Sequence, residues 1–119
     1  MEKPVSYSGK VVKGMGKAGE LGFPTVNIPL PEADPVSGIY VARVKHHDFT
    51  YNAVVYADHA RHMLEAHLLD FEKDLYGEEI TIELLNKLRE RAAFPDDASR
   101  QKAIAEDVLN AEDYFYSKS

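Results

Sequence analysis

Gly9-Lys10-Val11-Val12-Lys13-Gly14-Met15-Gly16-Lys17-Ala18-Gly19-Glu20-Leu21-Gly22-Phe23-Pro24-Thr25-Val26-Asn27 holds Gly9, Gly14, Gly16, Gly19 and Gly22 around a short apolar pair, Val11 and Val12. Glycine is used where backbone turns sharply or approaches a group that a side chain would block. Backbone N–H groups exposed in such a loop can converge on an anion, and Lys13 and Lys17 add charge nearby. Spacing alone does not decide the matter. No Gly-Lys-Ser/Thr follows, as a P-loop needs, and Gly14-Met15-Gly16 lacks the third glycine of a dinucleotide fingerprint. A plain turn between strands would use the same glycines. The ending is more informative: Thr25 and Asn27, two residues apart on an extended strand, face the same side. A hydroxyl and an amide oxygen placed in this way form a partial shell for a hard cation such as Mg²⁺, which draws its remaining ligands from water and substrate phosphates.

Outward from this stretch, the bulk composition narrows the function classes. A chain of 119 residues reads as a single domain over 1–119, large enough to bury about two thirds of its unfolded surface. It contains no cysteine, which excludes disulfides, thiol catalysis and zinc-thiolate sites. No apolar run reaches the length of a membrane span and the first residues carry no signal-peptide core, so the expectation is a cytoplasmic protein without a membrane partner. A formal charge of −6 argues against a nucleic-acid partner. Before Ala18, however, Lys3, Lys10, Lys13 and Lys17 face a single acid, Glu2, so the glycine-rich segment is locally attractive to a small phosphate ligand.

Three prolines between Asn27 and Gly38 rule out a central strand and read as an ordered connection. Gly38 to Val44 alternates as a half-buried strand, and His46-His47-Asp48 is turn chemistry. Phe49 to Ala57 is the returning strand of a hairpin. Asp58, His59, His62 and His67 have metal-ligand side chains without a spacing that fixes a site, and His46-His47 gives a weaker signal still. Leu64 to Phe71 reads as a strand with Glu65, His67 and Leu69 on one face and Ala66, Leu68 and Asp70 on the other. Alternation alone favours the face of Glu65 and His67 as the wet one. Pro95-Asp96-Asp97 begins a helix, with Ala103, Ile104, Val108 and Ala111 as its apolar stripe, over Ala98 to about Phe115.

The run Gly22-Phe23-Pro24-Thr25-Val26-Asn27, together with Glu65-Ala66-His67-Leu68-Leu69-Asp70-Phe71 and Asp74-Leu75-Tyr76-Gly77, resembles the riboflavin kinase family, with Val26 in place of the usual alanine. In many bacteria this family forms the C-terminal module of a bifunctional FAD synthetase. The resemblance extends from about Gly9 to Ala111. It implies a six-stranded antiparallel Greek-key β-barrel with a C-terminal α-helix, and ATP-dependent phosphorylation of riboflavin at its ribityl 5′-hydroxyl to give FMN. It implies nucleotide binding by Gly14, Gly16, Lys17, Thr25 and Asn27, Mg²⁺ held by Thr25 and Asn27, and Glu65 as general base. It assigns Arg89 and Phe94 to the flavin side; their bland readings are a surface ion pair with Glu90 or a neighbour, and a core aromatic. The resemblance also makes 79–91 a long strand, where Leu, Glu, Lys and Arg from Leu84 onward favour a helix.

Two departures stand out. Asp58-His59-Ala60-Arg61-His62-Met63-Leu64 replaces a longer family connection with glycine and proline, and Lys17 stands where arginine is common. These leave two alternatives open: a catalytically degenerate flavin- or nucleotide-binding module, or a kinase for another small hydroxylated acceptor. The adenylyltransferase module is absent from the sequence, so FAD synthesis is not expected, and the chain is expected to be a monomer.

Overall fold

The computed structural model describes residues 5–14, 16–71 and 74–118, with only the backbone described for Lys17 and Lys118. The elements are β1 (Val5–Lys10), α1 (Lys17–Glu20), β2 (Val26–Pro29), β3 (Gly38–His46), β4 (Phe49–Asp58), β5 (Met63–Leu68), β6 (Glu79–Arg89) and α2 (Asp97–Lys118). The six strands make one antiparallel sheet in the order β1-β6-β3-β4-β5-β2. Hairpins join β3, β4 and β5, and β6 returns to lie beside β3, which is a Greek key. The two sheet ends meet where the Val12 N–H donates to the Asn27 carbonyl at 2.8 Å. The sheet is thereby curled into a nearly closed barrel.

Period-2 alternation fills the interior. Val44, Val55, Leu64, Ile80 and Ile82 are fully or almost fully buried there, interspersed with Ala42, Ala53, Ala57 and Ala66. A barrel of only six strands is narrow, so large side chains need small ones opposite them. On the outer face, where α2 crosses it, Ile39, Val41, Val54, Leu69 and Ala111 form a second cluster, with Leu85, Leu88 and Val108 against it.

Strand β6 runs extended for 11 residues despite its helix-forming composition. It pairs with β1 on one side and β3 on the other, and this two-sided pairing overrides an intrinsic preference of less than about 1 kcal/mol per residue. Opposite Ile39/Tyr40 and Val41/Ala42 the register slips by one residue each time. The extra residues are Leu88 and Leu85, both packed against the outer cluster. The bulges let one strand supply Leu84 to the interior and two further leucines to the outside.

Other boundaries differ from expectation. The first strand lies before the apolar pair, and its serines conceal it; as a sheet edge, β1 half-buries only Tyr7 and Gly9. Ile28 and Pro29 belong to a strand, tolerated because β2 is an edge. Strand β5 stops at Leu68, short of Phe71, and Asp70 takes a left-handed conformation at φ 56°. The short helix α1 was not anticipated. Helix α2 starts at Asp97 rather than Ala98 and continues past Phe115 to Lys118, with Asp96 Oδ1 accepting the Ser99 N–H at its N-cap, 2.8 Å. No described helix is long and apolar enough to cross a membrane.

Candidate active site

Strand register assembles the site. Asn27 lies opposite Glu65, Glu65 opposite Tyr56, Tyr56 opposite Ile39, and Ile39 opposite Arg89. Directly opposed residues share a face. Leu64 and Ala66, which flank Glu65, point into the barrel, so this transverse row lies on the outer face. At about 4.8 Å per strand it spans about 19 Å across five strands. A cleft of about 510 Å³ opens over it, bounded by α2 and by the glycine-rich segment. The two walls are tied where Gln101 Nε2 donates to the Leu21 carbonyl at 2.8 Å.

Of the residues that the resemblance assigns to the site, Thr25, Glu65, Arg89 and Phe94 line this cleft together. Asn27 is buried beside it, and its Oδ1 accepts the Thr25 hydroxyl at 2.9 Å. Gly14 lies behind that pair: a Cβ there would come within 2.3 Å of the Asn27 amide nitrogen, so only glycine permits the approach. Gly16 precedes α1 in the left-handed region at φ 78°. Neither glycine lines the cleft, and the Lys17 side chain lies outside the described residues. Thr25 is fixed from below, because His67 Nδ1–H donates to the Pro24 carbonyl at 2.8 Å and the His67 ring meets Phe23 edge-on.

Glu65 sits on the outer face, yet not on a wet one. Burial raises its pKa above the ordinary carboxylate range, the Asp58 charge raises it further, and Arg91 and Arg61 oppose the shift. Arg89 is paired, though not with Glu90's carboxylate. Its Nε and Nη2 donate to the two oxygens of Asp107 at 2.8 and 2.7 Å, while Nη1 reaches only the Glu90 backbone carbonyl. Asp107 comes from the middle of α2 and is 1 % exposed. It also accepts the Tyr56 hydroxyl at 3.3 Å, and the Tyr56 pKa is raised, by burial first and then by Asp107. The guanidinium groups of Arg89 and Arg100 both lie over the Phe94 ring, at 5.8 and 5.6 Å. Phe94 is thus a half-exposed lining residue and not a core one.

The short connection after β4 closes on itself. Asp58 Oδ1 accepts the Arg61 N–H at 3.1 Å, and His62 turns back at φ 53°. This compact turn brings Arg61 to the cleft, where Arg61 and Arg91 both lie 3.7 Å from Asp58 Oδ2. Of the histidines considered as ligands here, His59 Nδ1 meets the Asp34 carbonyl and His67 Nδ1 that of Pro24, while the His59 and His62 rings meet edge-on at 5.9 Å.

Asp107, Tyr56 and the arginines 61, 91 and 100 were not singled out in the sequence, and Asp58 was considered there only as a metal ligand, not as part of this cleft. Asp107 had a signal: it lies at helical spacing between Ile104, Val108 and Ala111, a carboxylate inside an apolar stripe.

A family model described as Flavokinase: Riboflavin kinase matches residues 1–115. The chain belongs to the riboflavin kinase family. It is 36 % identical over 120 residues to the bifunctional riboflavin kinase/FMN adenylyltransferase of Escherichia coli (strain K12), covering 94 % of this chain and 38 % of that protein. To the bifunctional enzyme of Haemophilus influenzae it is 30 % identical over 123 residues, covering 97 % and 40 %. The chain therefore spans about two fifths of the length of these curated relatives. Among solved structures, riboflavin kinase from Trypanosoma brucei matches with a TM-score of 0.69 at 24 % identity, over 97 % of this chain and 82 % of that one. A structure described as a macrolide-efflux protein from Streptococcus pneumoniae matches with a TM-score of 0.76, also at 24 % identity, over 92 % and 37 %. At that identity the structural likenesses establish the fold. The flavokinase family model, and not the second structure's description, assigns the chain.

Proposed function

We propose that this riboflavin kinase-family domain transfers the γ-phosphoryl group of ATP to the ribityl 5′-hydroxyl of riboflavin, with Glu65 as general base. The observation that carries the proposal is the transverse row: a carboxylate of raised pKa lies directly across from Asn27 of the Thr25–Asn27 oxygen pair, on the floor of one cleft. Phosphoryl transfer asks a protein mainly to position reactants and to offset charge. A base acting near neutral pH gains from a pKa nearer neutrality, which burial of Glu65 favours.

The oxygen pair fits Mg²⁺. Thr25 Oγ1 and Asn27 Oδ1 are 2.9 Å apart, and two adjacent ligands of an octahedron with metal–oxygen bonds of 2.0–2.1 Å lie about 2.9 Å apart. Bound there, the ion would offset charge on the ATP phosphate oxygens. Thr25 and Asn27 would be its protein ligands, and Gly14, packed against Asn27, would keep the amide oriented. Backbone N–H groups of Gly14 and Gly16 would receive the phosphates, with Lys17 adding charge. Arg61 and Arg91 add positive field to the same cleft. Arg89, held in place by Asp107, and Phe94, with the Arg89 and Arg100 guanidiniums over its ring, would form the flavin side.

The test is turnover. The purified chain, incubated with riboflavin, ATP and Mg²⁺, forms FMN, resolved from riboflavin by chromatography. If ATP·Mg²⁺ binds and no FMN forms, riboflavin is not the acceptor.

A further inference from the structure

Far from the cleft, at the tip of the β3–β4 hairpin, two imidazoles and a carboxylate converge. His46 Nε2 lies 3.1 Å and His47 Nε2 3.5 Å from the same oxygen, Oε1 of Glu78. The three donor atoms all fall within 4.8 Å of one another, and His46 is buried while His47 and Glu78 are exposed. We propose that His46, His47 and Glu78 form a binding site for one divalent transition-metal ion of the zinc class, clipping the β3–β4 hairpin to the start of β6.

The distances suit such an ion. Tetrahedral Zn²⁺ with bonds of about 2.0–2.1 Å sets adjacent ligand atoms about 3.3 Å apart, close to the two separations here. The donor set selects the metal class, because imidazole nitrogen favours zinc, copper and nickel over Mg²⁺ and Ca²⁺. Backbone geometry supplies a second observation. The hairpin loop has only two residues, His47 and Asp48, and His47 takes the left-handed conformation at φ 54°. Glycine or asparagine fills such a position with less strain. A histidine kept there directs an imidazole to the carboxylate already held by its neighbour. The anchor on the other side is also fixed: the Glu78 carbonyl accepts the Val11 N–H at 2.8 Å, and the Glu78 N–H donates to the Leu75 carbonyl at 2.9 Å. Three protein ligands leave a further coordination position facing solvent. Because His46, His47 and Glu78 do not line the cleft that holds Thr25 and Glu65, the ion's effect is to stabilise the fold rather than to take part in phosphoryl transfer. In the sequence, Glu78 stands far from the histidine pair, so spacing gave no hint of a third ligand.

The experiment uses untagged protein and two probes. Zn²⁺ affinity is measured by competition with a chromogenic chelator, and coordination by the visible spectrum of the Co²⁺ form. The expected result is one Zn²⁺ per chain, intense tetrahedral Co²⁺ bands, and affinity reduced at least about tenfold in His47→Ala and in Glu78→Gln, the scale on which even outer-sphere partners alter metal affinity. Both positions are exposed, so the variants fold. A Tm rise of about 10 °C accompanies free Zn²⁺ at a hundred times Kd in wild type, and the same free Zn²⁺ raises it much less in either variant. His59→Ala/His62→Ala serves as the histidine control and binds as wild type does. The proposal is overturned if Zn²⁺ binds no more tightly to wild type than to Glu78→Gln, or if binding is abolished by Thr25→Ala or by the His59/His62 control instead. None of these readouts depends on kinase activity.

Discussion

Asp107 anchors Arg89 through two charge-assisted hydrogen bonds of 2.8 and 2.7 Å, and removing it tests how the cleft is held. The carboxylate is fully buried, whereas the Arg89 side chain is 29 % exposed, so only one end of the pair is shielded from water. Breaking a wholly buried pair costs about 3–5 kcal/mol. Solvent at the guanidinium lowers this to about 2–3 kcal/mol for Asp107→Ala, allowing for partial screening. With an unfolding entropy of about 2.1 cal/mol/K per residue, a chain of 119 residues loses about 8–12 °C in Tm. Thermal unfolding followed by circular dichroism measures this. A double-mutant cycle with Arg89→Met isolates the pair, and the coupling energy is expected to be at least about 1.5 kcal/mol. In the same cycle the KM for riboflavin rises in both single variants, because Arg89 leaves its place over Phe94. Additivity within about 0.5 kcal/mol would refute the reasoning: the Arg89–Asp107 pair would then contribute nothing to docking α2.

Three further outcomes follow from the same geometry. Gly14→Ala forces a Cβ into the Asn27 amide, so steady-state kinetics should show FMN formation falling by about 10²-fold, the scale of an ångström-sized misplacement, with no recovery on adding riboflavin. Asp96→Ala removes the N-cap of α2 and lowers Tm by a few degrees at neutral pH. The Ser99 hydrogen bonds hold the Asp96 pKa below its ordinary value. The stability they confer is therefore lost as pH falls through that lowered pKa, and in strong acid variant and wild type unfold together. Glu65 carries the opposite sign: burial, then Asp58, raises its pKa, so its contribution to stability is complete below the unfolded-state pKa and is lost as pH rises through the folded one. Glu65→Gln is accordingly more heat-stable than wild type near neutrality and level with it in acid.

Much of the fold was legible because alternation is a local signal. The β3 and β4 strands, their hairpin, and α2 with its cap could be read from residue pattern within a few positions of each end. Strand β6 could not, since Leu84 to Arg91 has helical composition, and only pairing on both edges holds it extended. Nor could β1, an edge strand with serines and one half-buried tyrosine. The site divided in the same way. Thr25 and Asn27 share a face through local spacing, and Glu65 was found by resemblance. What joined them to Tyr56, Arg89 and Asp107 was register between strands distant in sequence, together with a helix crossing above. The burial of Glu65 was not legible from its own strand, because burial of an outer-face carboxylate depends on what covers it. The short turn at 58–62 looked like a lost flap; its Arg61 is a contribution to the cleft that the turn's own Asp58 hydrogen bond makes possible.

The most direct test of the account is the pH profile of riboflavin phosphorylation by wild type and by Glu65→Gln. The account predicts a wild-type rate that falls in acid as a carboxyl of raised pKa takes up its proton. It predicts a variant rate at least about 100-fold lower at neutral pH, the low end for a positioned general base, with that acid limb gone. FMN formation by Glu65→Gln at the wild-type rate, with the acid limb unchanged, would contradict it and remove Glu65 from the chemistry.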